Sequence, residues 1–170
     1  MDALVVGLER SKARFIWVIN SANSQQRVPD RFHDDRGVVI RGWAPQVEIL
    51  NHKAVAGFVS HCGWNSMLES TMAGVMLLGW PMEADQFVNA KQLLEYKGLT
   101  VKLCEGADTV PDADEFARII NDSVGQDIPQ KARVKALKEK ALQALKDGGT
   151  SSTGLDELVK QLTQNGVSNT

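Results

Sequence analysis

Residues able to bind a polar ligand are concentrated in one stretch of this sequence, between positions 43 and 86. Tryptophan, histidine, amide and carboxylate side chains occur there in three clusters, and each cluster follows a short apolar run. Such runs predict buried strands, and in open parallel sheets the loops after the strands line the ligand crevice. The three clusters are therefore expected to meet at one edge of a sheet.

The first cluster is Trp43-Ala44-Pro45-Gln46. The indole of Trp43 is able to stack on a planar base, while its neighbours supply backbone and amide hydrogen bonds. A tryptophan that only closes a loop over the core is the alternative interpretation. The tetrapeptide alone does not decide between the two.

The second cluster is His61-Cys62-Gly63-Trp64-Asn65-Ser66, followed by Glu69. Glycine permits a tight turn here, and Asn65 with Ser66 is well suited to start a helix, whose free N–H groups form a site for a diphosphate. Glu69, about one turn later, is placed to accept from a ribose diol. His61 is placed to donate to phosphate oxygens and to help an anionic leaving group depart, although an isolated histidine is more often structural.

The third cluster contains Asp85 and Gln86, whose acceptor and amide groups suit several hydroxyls of a sugar ring. The alternative for Asp85 is a helix N-cap, and the two roles are compatible. In order along the chain, the clusters offer a base platform, a phosphate cradle and a sugar clamp. This order predicts a nucleotide-sugar site.

The elements that position these clusters are predicted from apolar periodicity. A helix is expected in residues 4–12, buried strands at 15–19, 38–40, 57–60 and 75–78, helices at 46–50, 65–73 and 86–96, and a long surface loop at 20–36. Strands alternating with helices predict an α/β fold, a doubly wound parallel sheet with covering helices. Such folds normally begin with a strand, so the first strand is expected to be missing.

Beyond residue 103 the pattern becomes helical. Asp112 opens a predicted helix with Phe116, Ile119 and Ile120 on one face, and residues 131–146 form another with lysines opposite the apolar positions. A break at 148–152 precedes a last helix. We expect one domain over residues 1–164 and a disordered tail over 165–170.

Composition restricts the class of partner. The net charge of −2 gives no electrostatic case for nucleic acid or an anionic membrane surface. Cys62 and Cys104 are the two cysteines, which favours neither a disulfide framework nor a zinc site. The sequence has no apolar run long enough for a membrane span and no signal peptide pattern, so a cytoplasmic location is expected.

The segment of 44 residues from position 43 to position 86 closely resembles the signature box, also of 44 positions, of plant-type family 1 UDP-dependent glycosyltransferases. The resemblance continues upstream in residues 7–11 and 15–18 and downstream in residues 148–152, and so covers most of the chain. It implies the C-terminal, Rossmann-like donor domain of a GT-B architecture. The residues that carry it in the box are Trp43-Ala44-Pro45-Gln46, Ile49-Leu50, His52, Phe58, His61-Cys62-Gly63-Trp64-Asn65-Ser66, Glu69, Gly74, Pro81 and Asp85-Gln86.

The resemblance also implies a role for each matching position. It implies that Trp43 stacks on uracil, that Ala44 bonds uracil through its backbone, and that Gln46 and Glu69 hold the ribose. The remaining implied contacts are to the diphosphate, from His61, Asn65 and Ser66, and to the sugar, from Trp64, Asp85 and Gln86.

The reaction implied by the resemblance is an inverting transfer from a UDP-sugar to a hydroxyl of a small hydrophobic acceptor such as a flavonoid, with no metal and no cofactor. Glutamine at position 86 favours UDP-glucose. In similar enzymes a preceding N-terminal domain carries the catalytic base and the acceptor pocket. Neither is expected in this chain, so the isolated chain is expected to be inactive.

Three other features of the sequence do not change this interpretation. His33, in a predicted loop, and His52, after a short helix, do not replace the base, and Asp112-Ala113-Asp114 spells a DxD metal motif but opens a helix. Two alternative functions stay open. One is a non-catalytic UDP-sugar-binding module or a short product that acts with a partner, and the other is a dinucleotide-dependent oxidoreductase, which the lack of a GxGxxG makes much weaker.

Overall fold

The computed structural model describes residues 2–19, 35–96, 98–125 and 127–166, so His33 and most of the predicted loop at 20–36 lie outside the described residues. Within the described ranges, no helix is both long enough and apolar enough to cross a membrane. The elements in chain order are α1 (Asp2–Arg10), β1 (Phe15–Ile19), β2 (Gly37–Arg41), α2 (Gln46–Leu50), β3 (Gly57–Ser60), α3 (Trp64–Ala73), β4 (Met76–Gly79), α4 (Gln86–Lys91), β5 (Thr100–Lys102), α5 (Ala113–Gly125), α6 (Pro129–Leu145) and α7 (Thr150–Gly166).

Every strand pair in the described part of the chain is parallel. β1 pairs with β2, while β3, β4 and β5 pair in that order, so the strands form a two-stranded and a three-stranded group. Helices separate most consecutive strands, as parallel connections require. The predicted α/β class, with parallel strands flanked by helices, is confirmed.

One apolar core joins the two strand groups. It combines Val5 of α1, Ile19 of β1, Met76 of β4 and Phe116 of α5, all of them buried. Helices α1 and α5 approach closely where α1 has a glycine, because a Cβ on Gly7 would lie 2.7 Å from Cδ1 of Phe116. The predicted apolar face of α5 is therefore confirmed, and it packs on α1.

The prediction that β1 is a buried strand is wrong for one of its faces. Ile16 is 48% exposed and Val18 is 45% exposed, whereas Ile19 is buried. Successive residues of a strand point to opposite faces, and only the face of Phe15, Trp17 and Ile19 packs against the core. A continuous apolar run shows that both faces are apolar, and it does not show that both are covered.

Several boundaries differ from the sequence prediction. Strand β4 begins at Met76, one residue late, and the helix predicted over 86–96 is α-helical only to Lys91 and continues as a π-helical turn, Gln92–Tyr96. The break predicted at 148–152 is shorter, because α7 begins at Thr150. Residues 165 and 166 of the predicted tail belong to α7, and residues 167–170 lie outside the described part.

Two of the lysines that the sequence places opposite the apolar positions of α6 bond to the ends of other helices. Lys138 Nζ donates to the carbonyl of Ala73 at 3.1 Å, and Lys131 Nζ donates to the carbonyl of Val124 at 3.1 Å. Both carbonyls lie in the last turn of a helix, where backbone acceptors lack partners and a cation is favourable. These lysines therefore fasten α6 to the ends of α3 and α5.

We predict that Phe116→Ala lowers the free energy of unfolding by about 3–5 kcal/mol, because it leaves a cavity between α1 and α5. Urea denaturation followed by circular dichroism measures this loss. The control is Val110→Ala, since the exposed Val110 side chain should change stability by less than about 0.5 kcal/mol. Equal effects of the two substitutions would contradict this account of the core.

Candidate functional site

The carboxyl ends of β3 and β4 lie side by side. Ser60, the last residue of β3, is the register partner of Gly79, the last residue of β4. The next residue, Trp80, donates its N–H to the carbonyl of Ser60 at 2.8 Å. The second and third predicted clusters therefore start from adjacent points on one edge of the sheet.

The first cluster is joined to the second by side-chain contacts. Gln46 Nε2 donates to Glu69 Oε2 at 2.8 Å and lies 3.4 Å from Ser66 Oγ. Helix α2, which carries Gln46, packs against α3, which carries the other two residues. Gln46 and Glu69 are half-buried and Ser66 is buried. This contact therefore gives the Glu69 carboxylate a defined orientation.

The tryptophans of the first and second clusters are exposed. Trp43 is 85% exposed, and about half of Trp64 is exposed, while Ala44 is half-buried. A tryptophan that closes a loop over the core would be buried, so that alternative for Trp43 is wrong. Its indole face is available to a planar ligand.

Helix α3 begins earlier than the sequence predicts. Its first residue is Trp64, and its N-cap is Gly63, which has no side chain with which to cap the helix. Asn65 and Ser66 consequently lie inside the first turn and do not cap the helix. The N–H groups of a first turn have no acceptor within the helix and carry the positive end of its dipole, so this turn is suited to an anion.

The strained backbone of the turn before α3 is at Cys62 and not at the glycine. Cys62 has φ of 66°, whereas Gly63 has φ of −62°. Gly63 leaves room for the imidazole in its present position, because a Cβ there would lie 2.5 Å from Nε2 of His61. The exposed imidazole therefore lies over Gly63, beside the first turn of α3. Sequence reasoning missed the role of Cys62, since no residue preference predicts a left-handed cysteine.

Burial makes the Cys62 thiol inert. Its side chain is fully buried against β4, and Sγ lies 3.6 Å from the carbonyl of Ser60. Removal from water disfavours the thiolate and raises the pKa of Cys62 to about 11. This residue thus shapes the turn and takes no part in nucleophilic chemistry.

The third cluster is held by two side-chain amides. Gln86 Oε1 accepts from the N–H groups of Met82 at 2.9 Å and Glu83 at 3.1 Å, which uses the oxygen of the Gln86 amide and not its Nε2. Asp85 occupies the N-cap position of α4 but makes no side-chain capping bond there. Its Oδ2 accepts instead from Asn89 Nδ2 at 2.7 Å. Sequence reasoning did not single out Asn89.

Most of the predicted site residues are exposed or half-buried, and Ser66 alone among them is buried. Two pockets, of about 290 and 410 Å³, are lined by other residues: the first lies between α4 and β5, and the second lies near the start of β4. Neither is lined by Trp43, His61, Glu69 or Gln86. The described residues supply a continuous series of contacts from the first cluster to the second, and the prediction that all four residues contact one ligand stays a prediction.

The remaining candidates have structural partners. Asp112 Oδ1 accepts from the N–H of Glu115 at 2.8 Å, and Asp114 pairs with Arg10 at 2.6 Å, so these carboxylates cap α5 and join it to α1. His52 Nδ1 accepts from the N–H of Ala54 at 3.2 Å, just after α2. These contacts support the helix-opening interpretation of the DxD sequence and the local role of His52.

Comparison with known proteins gives consistent matches. A family profile described as UDP-glucoronosyl and UDP-glucosyl transferase matches residues 1–128. The UDP-glycosyltransferase 89A2 of Arabidopsis thaliana is 46% identical over 165 residues, which cover 94% of this chain and 35% of that protein. The flavonol 7-O-rhamnosyltransferase of the same plant is 42% identical over 94% of this chain and 40% of that protein. For the flavonol 3-O-glucosyltransferase UGT89B1, also from Arabidopsis, identity is 41% over 97% of this chain and 36% of that protein.

Solved structures with the same fold contain donor molecules. Arabidopsis thaliana UGT89C1 complexed with UDP-L-rhamnose matches with a TM-score of 0.87 and 42% identity, over 94% of this chain and 38% of that one. Medicago truncatula UGT71G1 complexed with UDP-glucose matches with a TM-score of 0.85 and 36% identity, over 95% and 36%. This chain therefore spans between a third and two-fifths of the length of the relatives it matches.

We predict that a thiol reagent labels Cys62 slowly in the folded chain at pH 8 and quickly after unfolding. At pH 8 a pKa raised from 9.0 to about 11 leaves much less reactive thiolate than an exposed cysteine would have. A Cys104→Ser background isolates the signal, and circular dichroism verifies that the fold persists at pH 8. Labelling of the folded chain at the unfolded rate would contradict the burial of this thiol.

Proposed function

This chain belongs to the UDP-glucoronosyl and UDP-glucosyl transferase family, and from that premise we propose that it forms the donor-binding part of an inverting, metal-independent glycosyltransferase. The proposed reaction transfers a hexose, glucose, from UDP-glucose to a hydroxyl of a small hydrophobic acceptor such as a flavonoid. The observation that carries the proposal is the 2.8 Å hydrogen bond between Gln46 and Glu69, which joins two strand-end clusters beside the exposed Trp43.

The nucleoside end of the donor is assigned to the first cluster. Trp43 stacks on uracil through its exposed indole, and the backbone of Ala44 bonds the edge of the base. Gln46 and Glu69 hold the ribose. Their mutual hydrogen bond supports this assignment, because a carboxylate with one fixed oxygen has a defined direction in which to accept from a diol.

The diphosphate is assigned to the start of α3. First-turn N–H groups and the exposed side chain of Asn65 face the phosphates, together with the backbone of Ser66, whose hydroxyl faces Gln46. His61 lies beside the same turn and donates to a phosphate oxygen. The positive end of the helix dipole and the imidazole both stabilise the charge that develops on departing UDP.

The hexose is assigned to Trp64, Asp85 and Gln86. The backbone bonds of Gln86 use its Oε1, so its Nε2 can donate to a ligand. One carboxylate oxygen of Asp85 is bonded to Asn89. Glutamine at position 86 favours glucose. Flavonol 3-O-glucosyltransferase and flavonol 7-O-rhamnosyltransferase relatives support a flavonoid acceptor and indicate that donor sugars vary among similar proteins.

We assign the role of general base to none of the described residues. His52 Nδ1 already accepts a backbone hydrogen bond, and His61 is assigned to the diphosphate. Inversion needs a base on the acceptor hydroxyl, on the face of the sugar opposite UDP. We therefore expect the 170-residue chain to bind the donor without turnover, and glucosyl transfer to a panel of phenolic acceptors by this chain alone would contradict that expectation.

We predict that the chain binds UDP and that Trp43→Ala weakens binding about tenfold or more, because base stacking on an aromatic ring contributes about 1–3 kcal/mol. Isothermal titration calorimetry with UDP measures both affinities. Leu155→Ala is the matched control, since Leu155 is an exposed apolar residue on α7. A wild-type chain that does not bind UDP at millimolar concentration would overturn the proposed function.

We also predict that the wild-type chain binds UDP about tenfold more tightly than 2′-deoxy-UDP and that Glu69→Ala removes most of this difference. Hydrogen bonds to charged groups contribute about 1.5–3 kcal/mol, and the deoxy analogue cannot donate from the 2′ position. The same titrations serve as the measurement, with Glu115→Ala on α5 as the control. If Glu69→Ala still bound UDP more tightly than 2′-deoxy-UDP by the same factor, Glu69 would not be the residue that binds the ribose.

A further inference from the structure

Asn89 is a buried polar residue that joins the second cluster to the third. It lies on α4, one turn after Asp85, and only 6% of it is exposed. Its Nδ2 donates to the backbone carbonyl of Cys62 at 3.2 Å and to Asp85 Oδ2 at 2.7 Å. A single amide nitrogen thus bonds to the loop after β3 and to the loop after β4.

Both of these loops contain strained backbone. Among the described residues, the two non-glycine positions with positive φ are Cys62, at 66°, and Ala84, at 51°. Asn89 bonds to the carbonyl of Cys62 and to the side chain that directly follows Ala84. Such conformations persist only where surrounding contacts hold them, and the two bonds of Asn89 are contacts of this kind.

The chemistry of the amide matches its two acceptors. A side-chain NH₂ group has two hydrogens, one for the Cys62 carbonyl and one for the Asp85 carboxylate, and it carries no charge of its own. Removal of the amide takes the donor from both acceptors, and water replaces it poorly at the carbonyl of the buried Cys62. Water can hydrate the exposed Asp85 carboxylate but does not fix its direction. Asp85 would then lose its fixed orientation relative to the start of α3.

We propose that Asn89 is a positioning residue that sets the spacing between the diphosphate turn at Cys62 and the sugar-facing carboxylate of Asp85. The inference rests on the proposed function, because it assumes that the diphosphate and the sugar occupy these two loops. It follows that loss of Asn89 weakens binding of the intact donor, which contacts both loops, more than binding of UDP, which lacks the sugar.

The experiment compares UDP-glucose with UDP by titration calorimetry for the wild-type chain, Asn89→Ala and Asn89→Asp. We expect Asn89→Ala to weaken UDP-glucose binding about tenfold and UDP binding by no more than about threefold. Asn121→Ala is the matched control, because Asn121 also makes a side-chain hydrogen bond, to the N–H of Lys12 at 2.7 Å, far from these loops. It should change both affinities equally or leave both unchanged.

Asn89→Asp supplies a pH signature that a purely structural role would not produce. The variant places a second carboxylate against Asp85, and two carboxylates so close cannot both ionise without repulsion. Its affinity for UDP-glucose, divided by that of wild type, should rise as pH falls from 8 to 5, because one shared proton restores a donor. Every other ionisable group is present in both proteins, so the ratio isolates the change at position 89. This isosteric variant decides the question if Asn89→Ala does not fold.

Each outcome has one meaning. The positioning role would be overturned if Asn89→Ala weakened the binding of UDP-glucose and UDP equally, or weakened neither. It would also be overturned if the affinity ratio of Asn89→Asp to wild type did not change with pH. The proposed function would stand in each of these cases. A wild-type chain that binds neither ligand would overturn the proposed function, and this inference with it. Selective loss of UDP-glucose binding together with recovery at low pH would support the inference.

Discussion

The parallel pairing of β3 with β4 is the constraint on which the rest of the structure depends. Strand β4 is buried along its whole length, with Met76 and Leu78 in the core against α1 and α5 and Leu77 in a second cluster with Cys62 and Met67. Helices on both faces of the sheet therefore pack on this one strand. Because its partner runs in the same direction, the ends of both strands lie at one edge, and both loops leave the sheet from there.

The loops beyond that edge are held largely by polar contacts, in addition to the burial of Cys62. Gln46 bonds to Glu69, the oxygen of Gln86 bonds to the Met82 and Glu83 backbone, and Asn89 bonds to both neighbouring loops. A ligand-facing surface has to stay exposed, so it cannot be fixed by burying large side chains. Short, directed hydrogen bonds between half-buried groups define its geometry instead.

In the turn before α3, residue preferences suggest that the glycine adopts the left-handed conformation, but the cysteine adopts it instead. The left-handed residue is Cys62, while Gly63 has an ordinary φ and provides room for the His61 ring. A cysteine tolerates this strain because its side chain is fully buried and its carbonyl accepts from Asn89. The same burial that fixes the turn suppresses the reactivity of the thiol.

The sequence by itself determined the alternation of strands and helices, the α/β class and the positions of the three clusters, because apolar periodicity and strand-end polar residues are local features. It did not predict that one face of β1 is exposed, that α3 begins at Trp64, or which residues hold the loops. Those depended on contacts between distant positions, such as residue 62 with residue 89 and residue 46 with residue 69. Local patterns record the preference of each segment, whereas burial and hydrogen bonding across loops arise only when the packed sheet brings those segments together.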